Sequence, residues 1–482
     1  MGNNNSILVL ATVFIPVIGA FFLPLLGRIS AKARNISALL LAVIPMCVSA
    51  KVLQLAIKEP LVFNIVFPYG FDFTLRADGL AAFMALVSTS ISAIILLYSF
   101  GYIRKYPNQN EYYFMVVLFL GSMMGLIFSS NLILLYLFWE MTALASWRLI
   151  GFFRGEKEIY RANKAFLVTV FGALLMLLGF LILYGQTGSF DLLTIKSALA
   201  DKPVSNLAVL LILAGIFSKS ATLPFHTWLP DAGVAPSPVT ALLHAAILVK
   251  IGVYVFARLF VATIPLSVFW QVGVPVIAAV SALVSAGAAL IDTDIKRIIA
   301  YSTISQIGFI FLGLSVSSEV GIAGALLYIF MHGLSKAGLF LCAGIVEQNT
   351  HEKNIRKLGG LVSAMPITAS AFLLCAFSVM GIPPFGGFFC KYMVITGAVM
   401  SGHPAIAITF FVGAILTVLY LFRLYNAVFM GEMKCNHVSE GSVTMLIAVA
   451  ALAALSLLGG LFINYPAELV QTILSQIAVV AK

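Results

Sequence analysis

Apolar runs of about 20 residues, the length that spans a hydrocarbon core as a helix, recur along almost the whole chain. In such a helix every backbone amide and carbonyl is bonded within its own segment, which lipid requires. The runs fall at 7–26, 37–57, 79–100, 113–129, 132–152, 165–185, 206–222, 239–261, 268–290, 297–315, 320–346, 365–400, 404–430 and 443–464. The chain is therefore expected to be an all-α polytopic membrane protein of about 14 transmembrane helices, forming one transmembrane domain over 1–482. Composition agrees, since 61% of the 482 residues are hydrophobic and only 10% are charged, against roughly a quarter charged in soluble domains. The longest polar stretches, 58–78 and 187–205, are too short for a soluble core. Alternation in Phe63-Asn-Ile-Val-Phe-Pro and Phe71-Asp-Phe-Thr-Leu-Arg predicts a small hairpin outside the cytoplasm. The first run, Ile7 to Leu26, lacks a basic leader and is expected to remain in the mature protein.

The charges are few and unevenly placed. Net charge is +10, which in a soluble chain would point to nucleic acid; here the charges sit mainly in loops, and no nucleic-acid partner is expected. One set of alternate loops holds 15 basic residues, including Arg28, Arg104, Arg161, Lys296 and Lys357. The opposite set holds 5: Lys58, Arg76, Lys196, Lys202 and Lys482. The positive-inside rule then places the protein in the inner (cytoplasmic) membrane with both termini on the extracytoplasmic side. The remaining eight of the 28 basic residues lie in or at the edges of apolar runs: Lys51, Arg148, Lys219, Lys250, Arg258, Lys336, Lys391 and Arg423. The five cysteines are scattered without metal-ligand spacing, so no iron–sulfur cluster or other cofactor is expected in this chain. Nucleotide-binding, dinucleotide and zinc-protease motifs are absent from the sequence, which leaves no evident fuel of its own.

Ionisable groups at mid-membrane depth are expensive, about 3 kcal/mol each on insertion scales, and mark pathways for ions. Glu140 lies in Leu-Phe-Trp-Glu-Met-Thr and needs a proton or a cationic partner. Lys219 is expected to be that partner, and opening of a Glu140–Lys219 pair would release the lysine's proton. Structural readings of the two residues are a packing ion pair and a snorkelling lysine. His244 and Lys250 are six residues apart, about 240° around a helix, so a water would have to bridge them. His332 and Lys336 are four apart, on one helical face, where a relay or a polar packing stripe are the two readings. Pro224 frees the carbonyl of Ser220, and Pro383 and Pro384 free those of Val379 and Met380. Each break lies near a lysine, Lys219 or Lys391, and paired breaks in two halves of a chain point to a transporter's ion path or, taken singly, to simple kinks. Asp292, Asp294, Lys296 and Arg297 read as an interfacial cap and anchor, and Arg148 as a side chain snorkelling to the cytoplasmic edge.

His226-Thr-Trp-Leu-Pro-Asp-Ala-Gly-Val-Ala-Pro-Ser-Pro-Val-Thr-Ala-Leu-Leu-His-Ala-Ala resembles the signature of antiporter-like proton-pumping subunits. These occur in respiratory complex I, energy-converting membrane-bound hydrogenases and Mrp-type Na+/H+ antiporters. Phe138-Trp-Glu, the run from Asp294 to Gly308, His332-Gly-Leu-Ser-Lys-Ala and the run from Gly381 to Lys391 extend the likeness over roughly 70 to 430. The resemblance implies two inverted five-helix repeats, each with a broken helix. It divides the chain into N-terminal helices (1–112), a first repeat (113–262), a second repeat (263–430) and a C-terminal helix (431–482). It also implies a relay in which Glu140 partners Lys219, Lys250 and His244 connect onward, His332 and Lys336 sit centrally, and Lys391 ends the path. Trp147-Arg148 departs from the milder residues expected after Glu140, and the long lateral helix of the largest complex I pumping subunit has no counterpart, which suggests the compact members.

The function expected is proton or cation translocation by a subunit of a complex I-like oxidoreductase or energy-converting hydrogenase, driven by partner membrane subunits. Iron–sulfur, nickel–iron or flavin centres would belong to those partners. The alternative is a Na+/H+ antiporter subunit of an Mrp-type assembly, and a third reading is a scaffold whose polar residues only hold helices together.

Overall fold

A computed structural model of the chain describes residues 5–67, 72–200, 202–435 and 438–479. It is a helical bundle. Two N-terminal helices, α1 (Ser6–Ile29) and α2 (Ala31–Ala56), lead into a two-stranded antiparallel sheet of β1 (Leu61–Ile65) and β2 (Phe73–Ala77). The predicted hairpin is present with its strands shifted about the turn, Leu61 facing Ala77 and Ile65 facing Phe73. Pro68 and Phe71, expected at its inner ends, lie outside the described residues. Then come α3 (Gly79–Tyr102), α4 (Gln109–Phe128), α5 (Leu132–Ile150), α6 (Glu156–Thr187), a short α7 (Leu192–Ala198) and α8 (Asn206–Lys219). After a break, short α9 (Trp228–Asp231) and α10 (Ser237–Ala241) lead through a π-turn, Leu242–Ala246, into α11 (Leu248–Phe256). The second half holds α12 (Val268–Ile291), α13 (Ile295–Ser315), α14 (Glu319–Thr350), α15 (Pro366–Met380), α16 (Gly386–Met400), α17 (Pro404–Phe429), α18 (Val443–Leu461) and α19 (Asn464–Val479).

Among the described residues 12 helices are long and apolar enough to cross a membrane, and three shorter apolar ones, α8, α15 and α16, flank the two breaks. The chain is a multi-pass membrane protein. The sequence run 365–400 is two helices rather than one, because the Pro383–Pro384 pair interrupts the ladder. α7, α9 and α19, all shorter than a membrane span, are the remaining additions.

Burial sorts these helices into a centre and a surround. The most apolar stretch of the segment Ser237–Val261 is 100% buried, and those of α13 and α14 are 94% buried. Those of α2 and α17 are 33% buried, and those of α1, α6 and α18 are 39% buried. The outer helices turn apolar side chains outward, as α6 does with Leu167, Phe171, Leu174, Leu178 and Leu181. A lipid environment accepts such a stripe; water would not. The three central segments carry His244, Lys250, His332 and Lys336, so the polar groups are inside and the greasy ones outside. Close contact between helices at the centre needs small residues. A Cβ on Gly252 of α11 would lie 2.6 Å from the Ile216 carbonyl of α8.

Candidate functional site

The two breaks share one local design, in register. α8 ends in Phe217-Ser218-Lys219-Ser220-Ala221-Thr222-Leu223-Pro224-Phe225, and α15 in Phe377-Ser378-Val379-Met380-Gly381-Ile382-Pro383-Pro384-Phe385. In the first, the Thr222 amide returns to the Phe217 carbonyl at 2.9 Å; in the second, Ile382 returns to Phe377 at 3.0 Å. Both are the six-to-one closure of a helix that stops on a left-handed residue. That residue is Ala221 (φ 53°) in one half and Gly381 (φ 83°) in the other. A side chain in that region is uncommon, so Ala221 is held there by its surroundings.

Each break has a buried lysine that donates to a backbone carbonyl and lies over an aromatic ring. Lys391, near the start of α16, donates to the Val379 carbonyl at 2.8 Å and approaches that of Met380 at 3.5 Å, the two acceptors freed by Pro383 and Pro384. Its Nζ stands 4.8 Å from the centre of the Phe309 ring. Lys219, the last residue of α8, donates to the Trp139 carbonyl of α5 at 3.2 Å and sits 5.2 Å from the Trp139 ring centre. A charged amine in a dry site gains from both carbonyl dipoles and ring faces. The carbonyl of Ser218 accepts from the Trp228 indole at 2.9 Å.

Glu140 follows Trp139 on α5, within electrostatic reach of Lys219. The expected closed ion pair is not formed. The lysine amine is taken by the Trp139 carbonyl, and Glu140 Oε1 has no hydrogen-bond partner. Glu140 is only half-buried, on the side of α5 that also presents Leu137 and Leu144 outward. The pair therefore stands open, with its acid on the flank of the bundle and its base inside.

The central groups do meet. Lys250 Nζ donates to the Ile329 carbonyl at 2.7 Å and lies 3.1 Å from Nδ1 of His332, tying α11 to α14. With the lysine protonated, Nδ1 accepts and the imidazole proton sits on Nε2, which has no partner. His332 lies within electrostatic reach of Lys250, Lys336, His244 and Lys391, which makes it the hub of the constellation. His332 and Lys336 share a face of α14 but are not bonded to each other. Lys336 Nζ turns instead to the Ser302 hydroxyl at 2.6 Å and the Ile299 carbonyl at 3.2 Å. His244, on the π-turn, packs its ring 4.4 Å from that of Phe340, and both its nitrogens lack partners. No direct bond joins His244 to Lys250, as their spacing foretold, nor Lys219 to Lys250.

Several participants escaped the sequence reading. From Lys336 the polar chain continues through Ser302 to the Tyr420 hydroxyl at 2.8 Å, and from there to Gln306 at 3.2 Å. Gln306 also bonds Thr417 at 3.1 Å and accepts from Tyr328 at 2.6 Å. Ser302 and Gln306 are four apart on α13, a spacing that could have flagged them as one polar stripe. Such neutral residues raise no alarm in a list of charges.

The charged residues at the membrane edge are more engaged than expected. Asp294 caps α13 through the amides of Lys296 and Arg297, in agreement with a cap. Lys296 is no anchor, however; it is buried and pairs with Glu347 at 2.6 Å. Arg297 pairs with Asp231 and Asp292, each at 2.9 Å, and Asp231 pairs in turn with Lys164 at 2.7 Å. Arg148 is likewise not simply snorkelling, since Glu111 of α4 binds it together with Arg154. Among the described residues no group of three or more His, Cys, Asp and Glu side chains is placed to hold a metal ion.

Comparisons with known proteins bear on the family and the fold. Residues 129–417 match the family described as NADH:quinone oxidoreductase/Mrp antiporter, TM, and residues 65–113 the one described as NADH-Ubiquinone oxidoreductase (complex I), chain 5 N-terminus. A Na(+)/H(+) antiporter subunit of Alkalihalophilus pseudofirmus is 36% identical over 428 residues, covering 82% of this chain and 53% of that protein. Its counterpart in Staphylococcus haemolyticus, also a Na(+)/H(+) antiporter subunit, is 35% identical, over 84% of this chain and 54% of that one. The chain thus spans about half the length of these curated relatives. Two solved structures share the fold. A chain of the Mrp complex from Dietzia sp. DQ12-45-1b superposes with a TM-score of 0.88 at 20% identity, with 99% of both chains covered. A chain of an archaeal membrane-bound sulfane sulfur reductase does so with a TM-score of 0.89 at 23% identity, with 97% of both covered.

Proposed function

This chain belongs to the NADH:quinone oxidoreductase/Mrp antiporter transmembrane family, and we propose that within it the chain is an antiporter-like subunit that moves protons through the bilayer along its buried Lys, Glu and His side chains. The observation that carries this reading is the contact of Lys250 with His332 at the fully buried centre of the bundle. Helix cohesion alone does not call for two bases at one buried hydrogen bond, because a second proton there would set like charges against each other where the dielectric is low. A site that is to accept and pass on protons does call for bases close enough that protonating one displaces the proton of the next.

In this scheme Lys219 takes its proton when the Glu140 carboxylate approaches it and yields the proton when the pair opens. Lys250 and His332 carry it to the centre, with His244 alongside. Lys336 passes it by Ser302 and Tyr420 toward Lys391, with water bridging the remaining gaps. The lysines are tethered mostly to carbonyls, which accept from the charged amine and release the neutral one. The subunit works with other membrane subunits, in the cytoplasmic membrane, with both termini outside the cytoplasm. Na+/H+ exchange in an Mrp-type assembly is supported by the names of the relatives at 35–36% identity. A redox-driven assembly, with any iron–sulfur, nickel–iron or flavin centre in partner subunits, is supported by the match of residues 65–113 to a complex I family.

The test is ion movement in vesicles containing the native assembly. Lys219→Ala or Glu140→Ala should abolish coupled transport while the complex still assembles; normal transport in both variants would end the proposal. A sodium-dependent pH change without electron donors selects the exchanger, and dependence on an electron donor selects the redox-driven pump.

A further inference from the structure

At the end of the bundle that carries the β1–β2 hairpin lies a cavity of about 310 Å³ that none of the relay residues lines. Four basic side chains line it, Lys58, Arg76, Lys196 and Arg258, against one carboxylate, Asp78. That convergence is unusual for this side. The sequence assigns only Lys58, Arg76, Lys196, Lys202 and Lys482 to its loops, and three of those five face this one space.

The acid is already committed. Asp78 binds Arg258 through both oxygens, at 2.6 and 2.7 Å, and caps α3 at the Ala81 amide. Arg76 reaches Asp78 only at 4.0 Å, and its buried Nε has no hydrogen-bond partner. Lys196 donates to the Ala262 carbonyl at 2.9 Å, a neutral acceptor that leaves its charge unbalanced. Burial, and after it the neighbouring Arg76 charge, lower the pKa of Lys196. Among the described residues, positive charge is thus gathered in a recess without a matching anion. Leu192, Leu193 and Ile477 add apolar wall, and Gln476 of α19 closes one side through bonds to the Ala56 and Ile57 carbonyls and the Gly79 amide.

We propose that this cavity is a binding site for a phosphate-bearing anion, with Arg76 and Lys196 as its principal ligands and Lys58 at the rim. Arginine and lysine around an anion form charge-assisted hydrogen bonds, and the apolar wall beside them suits the glycerol and upper acyl chain of an anionic phospholipid. Two sources share that chemistry: a lipid headgroup and free phosphate.

The experiment uses the full chain in detergent, with phosphatidylglycerol, phosphatidylcholine and inorganic phosphate as separate probes. Lipid retention is read by native mass spectrometry and thermal unfolding by fluorescence. The wild type should retain phosphatidylglycerol several-fold over phosphatidylcholine and gain thermal stability from it, and Arg76→Gln/Lys196→Gln should lose both effects. Stabilisation by inorganic phosphate in place of the lipid, lost in the same variant, identifies the free anion as the occupant. Lys58→Gln, at an exposed position, keeps the test open should the double variant misfold, and it should weaken retention partially. Retention or stabilisation undiminished in the variants overturns the proposal. So does a wild type indifferent to both anions, which would leave the cavity as a seat for an acidic side chain of a neighbouring subunit.

Discussion

Lys391 is buried, holds freed backbone and, in the proposed relay, ends the proton path. Its amine satisfies the Val379 carbonyl, so Lys391→Met should leave that acceptor bare and cost about 1–3 kcal/mol of stability in addition to stopping transport. Lys391→Arg keeps a donor but not a readily released proton, and is expected to restore the thermal midpoint without restoring transport. Thermal unfolding and vesicle transport, measured on both variants, separate the two roles. At this scale the sequence was informative about identity and silent about partners. Every intramembrane lysine and histidine stood out because charge in an apolar run is rare. That Lys250 would find His332, 82 positions away, is a matter of helix packing that no local spacing encodes. The four-residue spacing of His332 and Lys336 put them on one helical face, and it could not show that Lys336 turns to Ser302, where α13 offers a hydroxyl and a carbonyl.

The broken helices are the elements on which the proposed relay depends. Prolines announced both breaks and named the carbonyls they free, and two of those carbonyls are the ones Lys391 reaches. The matching register of the two breaks needed the structure, since only Phe-Ser and Pro-Phe survive as shared letters. Gly381→Ala places a side chain at φ 83° and should cost about 1–2 kcal/mol. Gly387→Ala drives a methyl into the Ser378 carbonyl, which would push α16 away from α15. Both substitutions should lower the thermal midpoint and impair transport, whereas Gly402→Ala, which meets nothing within 4 Å, should pay only its own left-handed cost and leave transport intact. The other elements not foreseen from the sequence, α7, α9 and α19, are short or amphipathic and contain no apolar run of about 20 residues.

For the whole molecule, long apolar runs dictated an inside-out distribution of polarity, and the bundle has it. One edge of that bundle is fastened by charge. Asp231 joins α6 to α13 through Lys164 and Arg297. Burial raises its pKa, but the hydrogen bonds of Lys164 and Arg297 and the charges of Lys164 and Arg161 outweigh that and hold the carboxyl below its ordinary value. A depressed folded pKa gives stability that is full above the unfolded value of about 3.9 and is lost as pH falls through the folded one. The thermal midpoint should therefore drop on acidification below about pH 4, and Asp231→Asn should flatten that part of the profile. The central claim is that the buried bases form one path for protons. Its most direct measurement is proton movement in vesicles carrying the assembled complex with Lys250→Met, beside Lys51→Met, whose side chain is exposed on α2. The account predicts loss of proton movement for the first and none for the second; full proton movement with Lys250→Met would contradict it.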